Sequence, residues 1–217
     1  MRTYENVVAT ELFDEVVVAT DSDLIFKEIS DNGGRVLMTR SDHQCGSDRT
    51  AEAVSDSDAD IVINVQGDEP FIDYESLKNL IHVFKNDEEK QIDLASLMTP
   101  LKDMEEVQNP SNVKVIVDLK DFALYFSRSP IPFDRDNDNP PVYYKHVGVY
   151  AFRKKALMDF SQQEITPLEA AEKIECIRYL EHGKKIKMVR THHVNYGIDT
   201  PSDLERAKQH LNKQDYI

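Results

Sequence analysis

The chain has 217 residues, 40% of them hydrophobic, which suits one globular domain with a sizeable core. Its 26 basic and 40 acidic side chains give a net charge of −14, which opposes binding to a nucleic-acid backbone or an anionic membrane surface. The apolar runs are too short to cross a bilayer and no secretory signal pattern is present, which favours a cytoplasmic protein. The two cysteines are too few for a disulfide framework.

Short apolar strands alternate with amphipathic helices through residues 1–86. A helical pattern opens the chain, with apolar side chains at Val7, Val8, Leu12 and Phe13. There follow the strand segments EVVVAT, RVLMTR and DIVINV and the helical segments DLIFKEISDNGG, DRTAEAVSD and YESLKNLIHVFKN. This alternation predicts βα units, an α/β fold of Rossmann type and a largely parallel sheet.

A polar loop, TRSDHQCGSDR, follows the second strand, and its Ser47 and Arg49 place a hydroxyl and a cation near its end. The loop alone identifies no chemistry. The patterns GxGxxG, GxxxxGK[ST], HExxH and GxSxG are absent from the sequence. Their absence argues against dinucleotide enzymes, P-loop NTPases, zinc proteases and serine hydrolases.

The third strand, DIVINV, runs directly into Gln66, Gly67, Asp68, Glu69 and Pro70. Ligands of α/β proteins collect at the carboxyl ends of strands. One or two carboxylates together with substrate phosphates are the usual ligands of Mg²⁺, so Asp68 is a candidate metal ligand. A solvated turn closed by Pro70 would explain the same residues, and that alternative stays open.

Residues 112–152 differ from the first part of the chain. The strand segments VKVIVD, FALYFSR and YYKHVGVYAFR follow one another closely, joined by Pro-rich and Asp-rich turns. This pattern predicts a smaller mixed, partly antiparallel region that serves substrate binding or dimerisation. It belongs to a single domain that spans residues 1–217.

Side-chain alternation in the last of these strands separates two faces. Val147, Val149 and Ala151 form an aliphatic face, which is predicted to be core. The other face carries His146 and Tyr150 on either side of Gly148, an arrangement that leaves room for a polar ligand. A histidine with a purely structural role is the alternative.

The end of the chain is predicted to be a helix, a strand and a helix, from the segments PLEAAEKIECIRYLEHG, KIKMVR and TPSDLERAKQHLNK. Thr166 and Glu169 fit a capping box, so Glu169 is assigned a structural role. Glu172 and Glu175 lie three residues apart, which places them on one face of a helix. They either bind sugar hydroxyls or face solvent.

Asp199 precedes the sequence Thr200-Pro201, which suits the start of a helix. Asp199 itself has no capping role, and it follows a predicted strand. It could therefore join Asp68 on one metal ion, although a surface aspartate is the alternative.

Together, seven segments resemble, in this order and spacing, the 3-deoxy-manno-octulosonate cytidylyltransferases, or CMP-Kdo synthetases. They are VVVATDSD, TRSDHQCGSDR, VINVQGDEPFI, YFSRSPIPFDRD, KHVGVYAFR, PLEAAEKIECIR and GIDTPSDLERA. The resemblance covers nearly the whole chain. It implies a homodimer that couples CTP to the sugar acid Kdo with Mg²⁺, releasing pyrophosphate and CMP-Kdo for lipopolysaccharide assembly.

The resemblance also implies roles for individual residues. Asp68 and Asp199 correspond to the Mg²⁺ ligands, and Gln66 lies where the family meets its bound substrates. Ser47 and Arg49 correspond to part of the cytidine site. The residues that match the Kdo-binding region are Arg128, His146, Tyr150 and either Glu172 or Glu175. Two departures from the family pattern are Cys176 in place of a common glutamine and CGSDR in place of SGTER.

Members of the family begin with a strand and a basic loop resembling PARYxSxRxPGKP, which holds the CTP phosphates, and no segment of this sequence matches it. The chain as written is therefore expected to fold but to be a poor catalyst. Two alternatives follow. One is a nucleotidyltransferase for another acidic sugar, and the other is a catalytically inactive binding or assembly protein.

Overall fold

The computed structural model describes residues 1–136, 138, 141–191, 197–198, 204–205 and 207–209. The helices are α1 (Arg2–Ala9), α2 (Asp23–Asp31), α3 (Gly46–Ala53), α4 (Tyr74–Lys85), α5 (Met104–Gln108), α6 (Lys154–Ser161), α7 (Pro167–Glu172) and α8 (Ile177–Glu181). The strands are β1 (Val18–Thr20), β2 (Val36–Met38), β3 (Ile61–Val65), β4 (Leu94–Pro100), β5 (Lys114–Val117), β6 (Ala123–Ser127), β7 (Tyr144–Arg153) and β8 (Ile186–Arg190). The predicted α/β class is confirmed.

A six-stranded sheet carries most of the core, in the order β6-β5-β7-β4-β8 with β3 also paired to β7. Strands β1 and β2 form a separate parallel pair. The prediction of a largely parallel sheet is wrong for the described strands. Strands β4 and β8 run parallel, but β7 is antiparallel to β3, β4 and β5, and β5 is antiparallel to β6. The cause is β7, which inserts between β3 and β4 and pairs with both.

The two faces of β7 contribute to different hydrophobic clusters, as the alternation predicts. Val147, Val149 and Ala151 pack in a cluster with Val7 of α1 and Leu77 of α4. The opposite face adds aromatic side chains to a second cluster, which also contains residues of α6 and α8. The sheet is therefore covered on both faces, and His146 and Tyr150 lie on β7, a strand that pairs with β3, β4 and β5.

The predicted single helix near the end of the chain is two helices. Helix α7 ends at Glu172, and the residue that caps it, Lys173, has a φ of 55° and a ψ of 48°, in the left-handed region. That conformation costs a residue other than glycine about 1–2 kcal/mol, and here Arg128 donates hydrogen bonds to the carbonyls of Glu172 and Lys173 at 2.8 and 3.3 Å. The break directs Glu175 away from the α7 face, so the prediction that Glu172 and Glu175 share one helical face is wrong.

Within the described ranges, the helices are all too short or too polar to cross a membrane.

Candidate active site

A cavity of about 970 Å³ lies at the carboxyl ends of β3 and β4. Gln66 and Asp68 follow β3, and Thr99 and Pro100 end β4, so the wall forms where ligands of α/β proteins collect. Its volume falls within the range of about 300–1,000 Å³ that small-molecule sites occupy. Six of the predicted site residues line it: Gln66, Asp68, Arg128, His146, Tyr150 and Glu175.

His146 is a buried ring in the wall of this cavity, with 6% of its surface exposed. Its Nε2 lies 2.9 Å from the hydroxyl of Ser96, and the rings of Phe126 and Tyr150 lie 5.0 and 5.4 Å from it. Burial, together with the positive charge of Lys145, lowers the pKa of His146 to about 3. The ring is therefore neutral at physiological pH.

Burial of a neutral His146 should make stability depend on pH. The pKa of this ring falls from 6.5 to about 3 on folding, so between these values the unfolded chain binds a proton that the folded chain does not. The free energy of unfolding should therefore fall as pH falls through this window, by up to about 1.4 kcal/mol per pH unit from this group. Denaturant unfolding of the wild type and His146→Gln at several pH values measures it.

In that experiment the other acid-sensitive groups are common to both proteins, so the difference between the two curves isolates His146. The variant should gain relative stability as the pH falls from 6 to about 4. Parallel curves would show that His146 titrates alike in the folded and unfolded states.

Tyr150 lies next to His146 on the same face and is also buried. Tyr150 and Cys176 belong to the same buried cluster, and burial raises the pKa of Tyr150 well above its usual value. The phenol therefore remains protonated. The position where a glutamine was expected thus holds a small group that packs directly against Tyr150.

Gln66 packs against two glycines. A Cβ added at Gly46 would lie 2.5 Å from Nε2 of Gln66 and 3.3 Å from Nδ2 of Asn64, which is too close without movement of these amides. A Cβ added at Gly148 would lie 3.9 Å from Cγ of Gln66, an ordinary contact. Gly46 is therefore the residue that lets the first turn of α3 approach the end of β3. The space beside Gly148 is bounded by the Gln66 stem.

Glu175 joins the turn after α7 to the start of α3. Its carboxylate accepts hydrogen bonds from the backbone N–H of Ser47 at 3.3 Å and from the Ser47 hydroxyl at 3.2 Å. Burial, together with the negative charge of Glu175, raises the pKa of the neighbouring Cys45 thiol. Burial raises the pKa of Glu175 despite these donors. Ser47 and Glu175, predicted for the cytidine and sugar regions respectively, are therefore direct neighbours.

Arg128 is the centre of a hydrogen-bonded network on the other side of the cavity. Besides its two bonds to the end of α7, its guanidinium donates to the carbonyl of Pro110 at 3.0 Å. The carboxylate of Glu172 accepts from the Arg128 backbone N–H at 2.9 Å and from the Ser127 hydroxyl at 2.7 Å. The buried ammonium of Lys114 donates to the Arg128 carbonyl at 2.5 Å. Glu172 thus positions Arg128 and is not among the residues that line the cavity.

Arg49 lies apart from the cavity wall. Its guanidinium donates to the Thr39 hydroxyl at 2.5 Å and to the Arg40 carbonyl at 3.3 Å, and it pairs with Asp21 at 3.2 Å. These partners follow β1 and β2, whose carboxyl ends lie beside α3. Arg49 therefore lies at the carboxyl ends of β1 and β2.

The predicted pair of metal ligands is described in part. Asp68 lines the cavity, whereas Asp199 lies outside the described residues. Its neighbour Ile198 donates its backbone N–H to the Asp68 carbonyl at 2.9 Å, and Gly197 lines the same cavity. Within the described ranges no group of three or more His, Cys, Asp or Glu side chains could hold a metal.

The model of a protein family described as cytidylyltransferase matches residues 1–186. The chain belongs to this family. The cytidylyltransferase is 61% identical over 210 residues to 3-deoxy-manno-octulosonate cytidylyltransferase of Christiangramia forsetii, an alignment that covers 97% of this chain and 85% of the relative. It is 57% identical over 211 residues to the protein of that name from Flavobacterium johnsoniae, covering 97% and 86%. The resemblance inferred from the sequence is confirmed.

Comparison with solved structures agrees with this family assignment. A structure of CMP:2-keto-3-deoxy-manno-octonic acid synthetase complexed with CTP superimposes on the cytidylyltransferase with a TM-score of 0.90 at 36% identity, covering 98% of this chain and 87% of the other. 4-Diphosphocytidyl-2C-methyl-D-erythritol synthase from Anaerococcus prevotii gives a TM-score of 0.62 at 19% identity, with coverage of 97% and 87%, and so shares the fold.

Ser96, Asn64 and Gly46 of this cytidylyltransferase lie in or beside the site but were assigned no site role from the sequence, although Gly46 belongs to the polar loop TRSDHQCGSDR. A serine inside the apolar stretch LASLMTP is a polar residue in a buried strand, and such a residue indicates a specific hydrogen bond. The asparagine inside IVINV is also buried, but its Nδ2 has no hydrogen-bond partner among the described residues. Gly46 gave no such signal, because its role depends on the approach of a distant strand.

Proposed function

We propose that this enzyme couples CTP to Kdo, releasing pyrophosphate and CMP-Kdo for lipopolysaccharide synthesis. The observation that carries the proposal is that the strand-end residues Gln66 and Asp68 line the same cavity as Arg128 and His146. The two named relatives and the synthetase structure with CTP support the choice of substrates.

The reaction is an attack by the anomeric hydroxyl oxygen of Kdo on the α-phosphorus of CTP. A phosphorus–oxygen bond to the sugar forms as the bond to pyrophosphate breaks. Catalysis of such a step is mainly positioning and neutralisation of charge. Among the described residues, the lining of the cavity includes four cationic residues, Lys102, Arg128, Lys145 and Lys173, beside seven acidic ones, so a bound anion would need to lie close to the cations. Arg128 has five N–H groups and uses three for backbone carbonyls, which leaves two for a substrate carboxylate.

We propose that Asp68 and Asp199 bind one Mg²⁺ in this site. The donor chemistry fits, because carboxylates at strand ends beside phosphate are the usual protein ligands of Mg²⁺. The hydrogen bond from Ile198 to Asp68 supports the pairing. A bound Mg²⁺ supplies positive charge to the phosphate oxygens. The homodimer, the role of residues 112–152 in it and the cytoplasmic location are further parts of the proposal, and the charge of −14 argues against a nucleic-acid partner.

A panel of sugar acids tests the choice of acceptor. Pyrophosphate release from CTP is measured with Kdo, N-acetylneuraminate and other 2-keto sugar acids. The kcat/KM for Kdo should exceed that for the others by roughly 100-fold or more, because unmatched hydroxyl groups leave buried polar groups unpaired. A higher kcat/KM for a different acid would identify a nucleotidyltransferase of another acidic sugar.

A further inference from the structure

Ser96, in the middle of β4, has no exposed surface and lies against the ring of His146. Its hydroxyl oxygen is 2.8 Å from the carbonyl oxygen of Val149, 3.2 Å from that of Val147 and 2.9 Å from Nε2 of His146. A hydroxyl has one proton, and carbonyl oxygens can only accept. The proton of Ser96 is therefore directed to β7 carbonyls, so the Ser96 oxygen acts as an acceptor towards His146.

The Ser96 hydroxyl meets these two carbonyls where the pairing of β4 with β7 is irregular. Ser96 is paired with Tyr150, and the next residue of β4, Leu97, is paired with Val147. Two residues of β7, Gly148 and Val149, therefore lie between the partners of two consecutive β4 residues. Such bulges leave backbone groups without their ladder partners and are frequent beside active sites. Buried carbonyls need a donor, and the Ser96 hydroxyl supplies it.

A neutral imidazole has one N–H and one acceptor nitrogen. The ring of His146 is buried and its pKa is lowered to about 3, so the neutral form is present. With the Ser96 oxygen as an acceptor, Nε2 carries the hydrogen and Nδ1 carries the lone pair. We propose that Ser96 is a positioning residue that fixes His146 in the Nε2–H tautomer, so that Nδ1 accepts a hydrogen bond from a hydroxyl of the sugar acid.

The chemistry of Nδ1 selects the partner. A lone pair repels carboxylate and phosphate oxygens, which are themselves only acceptors, so His146 binds a hydroxyl and leaves the carboxylate to Arg128. The two side chains are linked through β5. The backbone N–H of His146 donates to the carbonyl of Val113 at 2.8 Å. Lys114, which follows Val113 and begins β5, donates a hydrogen bond from its ammonium to the Arg128 carbonyl. The choice of a sugar hydroxyl rests on the proposed function, whereas the tautomer does not.

The tautomer is measured directly by ¹⁵N NMR of the full chain labelled at histidine, because protonated and unprotonated ring nitrogens have widely separated shifts. The His146 signals are assigned by their loss in His146→Gln. At pH 7 the wild type should show Nε2 protonated and Nδ1 unprotonated. In Ser96→Ala the two tautomers should become mixed. A protonated Nδ1 in the wild type, or an unchanged tautomer in Ser96→Ala, would overturn the proposal whether or not the protein makes CMP-Kdo.

Steady-state kinetics test the hydroxyl contact. Ser96→Ala should raise KM for Kdo about tenfold, as expected for the loss of one hydrogen bond, and change KM for CTP less than twofold. Leu77→Ala, on the opposite face of the sheet, controls for lost stability and should leave both KM values unchanged. Equal changes in the two KM values for Ser96→Ala, or a change only for CTP, would refute the assignment of Nδ1 to the sugar acid.

Discussion

Asp68→Asn is expected to lower Mg²⁺-dependent release of pyrophosphate by on the order of 100-fold to 1,000-fold, with the fold intact. Asn keeps the shape of the side chain but removes its charge, and charge is what binds Mg²⁺. The backbone carbonyl of Asp68, which accepts the Ile198 N–H, is unaffected by the substitution. Turnover is measured over a range of Mg²⁺ concentrations, and thermal unfolding reports the fold.

The matched control is Asp60→Asn. Asp60 is exposed at the opposite end of β3, and its substitution changes the net charge by the same amount. Its turnover should equal that of the wild type. Binding of Mn²⁺ in the presence of CTP, followed by electron paramagnetic resonance, should weaken for Asp68→Asn alone. Wild-type turnover and Mn²⁺ binding in Asp68→Asn would refute the assignment of Asp68 to the metal.

Arg178→Met is expected to lower the free energy of unfolding by about 3–5 kcal/mol, since it leaves one member of a buried ion pair without its partner. The side chains of Arg178 and Glu169 are only 2% and 7% exposed. The guanidinium donates two hydrogen bonds to the Glu169 carboxylate, at 2.8 and 2.7 Å, and one to the Gln163 carbonyl at 3.1 Å. It also stacks over the Phe160 ring at 4.2 Å.

Urea unfolding at pH 7 measures this loss, which is a large part of the 5–15 kcal/mol typical of a domain. The double variant Arg178→Met, Glu169→Gln should be more stable than Arg178→Met alone, because it removes the charge of Glu169, although Asp48, 3.8 Å from the Arg178 guanidinium, still loses its partner. Lys155→Ala serves as a control, since its ion pair with Asp159 is exposed, and should leave stability unchanged. A loss below about 1 kcal/mol in Arg178→Met would contradict a net stabilising role for the pair.

The sequence predicts elements well where one face of a strand or helix differs from the other. The alternation in β7 correctly separated Val147 and Val149 from His146 and Tyr150. Strand β4 escaped prediction because it is buried on both faces, so LASLMTP shows no alternation. Its pairing with the antiparallel β7 also could not be read from local pattern, because the insertion of β7 joins segments about 50 residues apart.

The sequence indicated several residues that line the cavity, but not the hydrogen bonds that these residues make. The position after a strand identified Asp68, whereas Gln66 followed from the resemblance to the family, and both residues line the cavity. The partners of Glu175 and Glu172 depend on the helix break at Lys173, which is stabilised by Arg128 from another element. Arg178 resembles any cation on an amphipathic helix. The side chain of Arg178 is buried because α7, α8 and α3 pack together, and the local sequence pattern does not predict this burial.

The most direct test of the proposed reaction is identification of its products. The enzyme is incubated with CTP, Kdo and Mg²⁺, and the mixture is followed by ³¹P NMR and mass spectrometry. The account predicts pyrophosphate and a CMP-Kdo phosphodiester in equal amounts, both dependent on Mg²⁺. Unchanged CTP with Kdo still bound, which would indicate a binding or assembly protein, or pyrophosphate release without CMP-Kdo would contradict it.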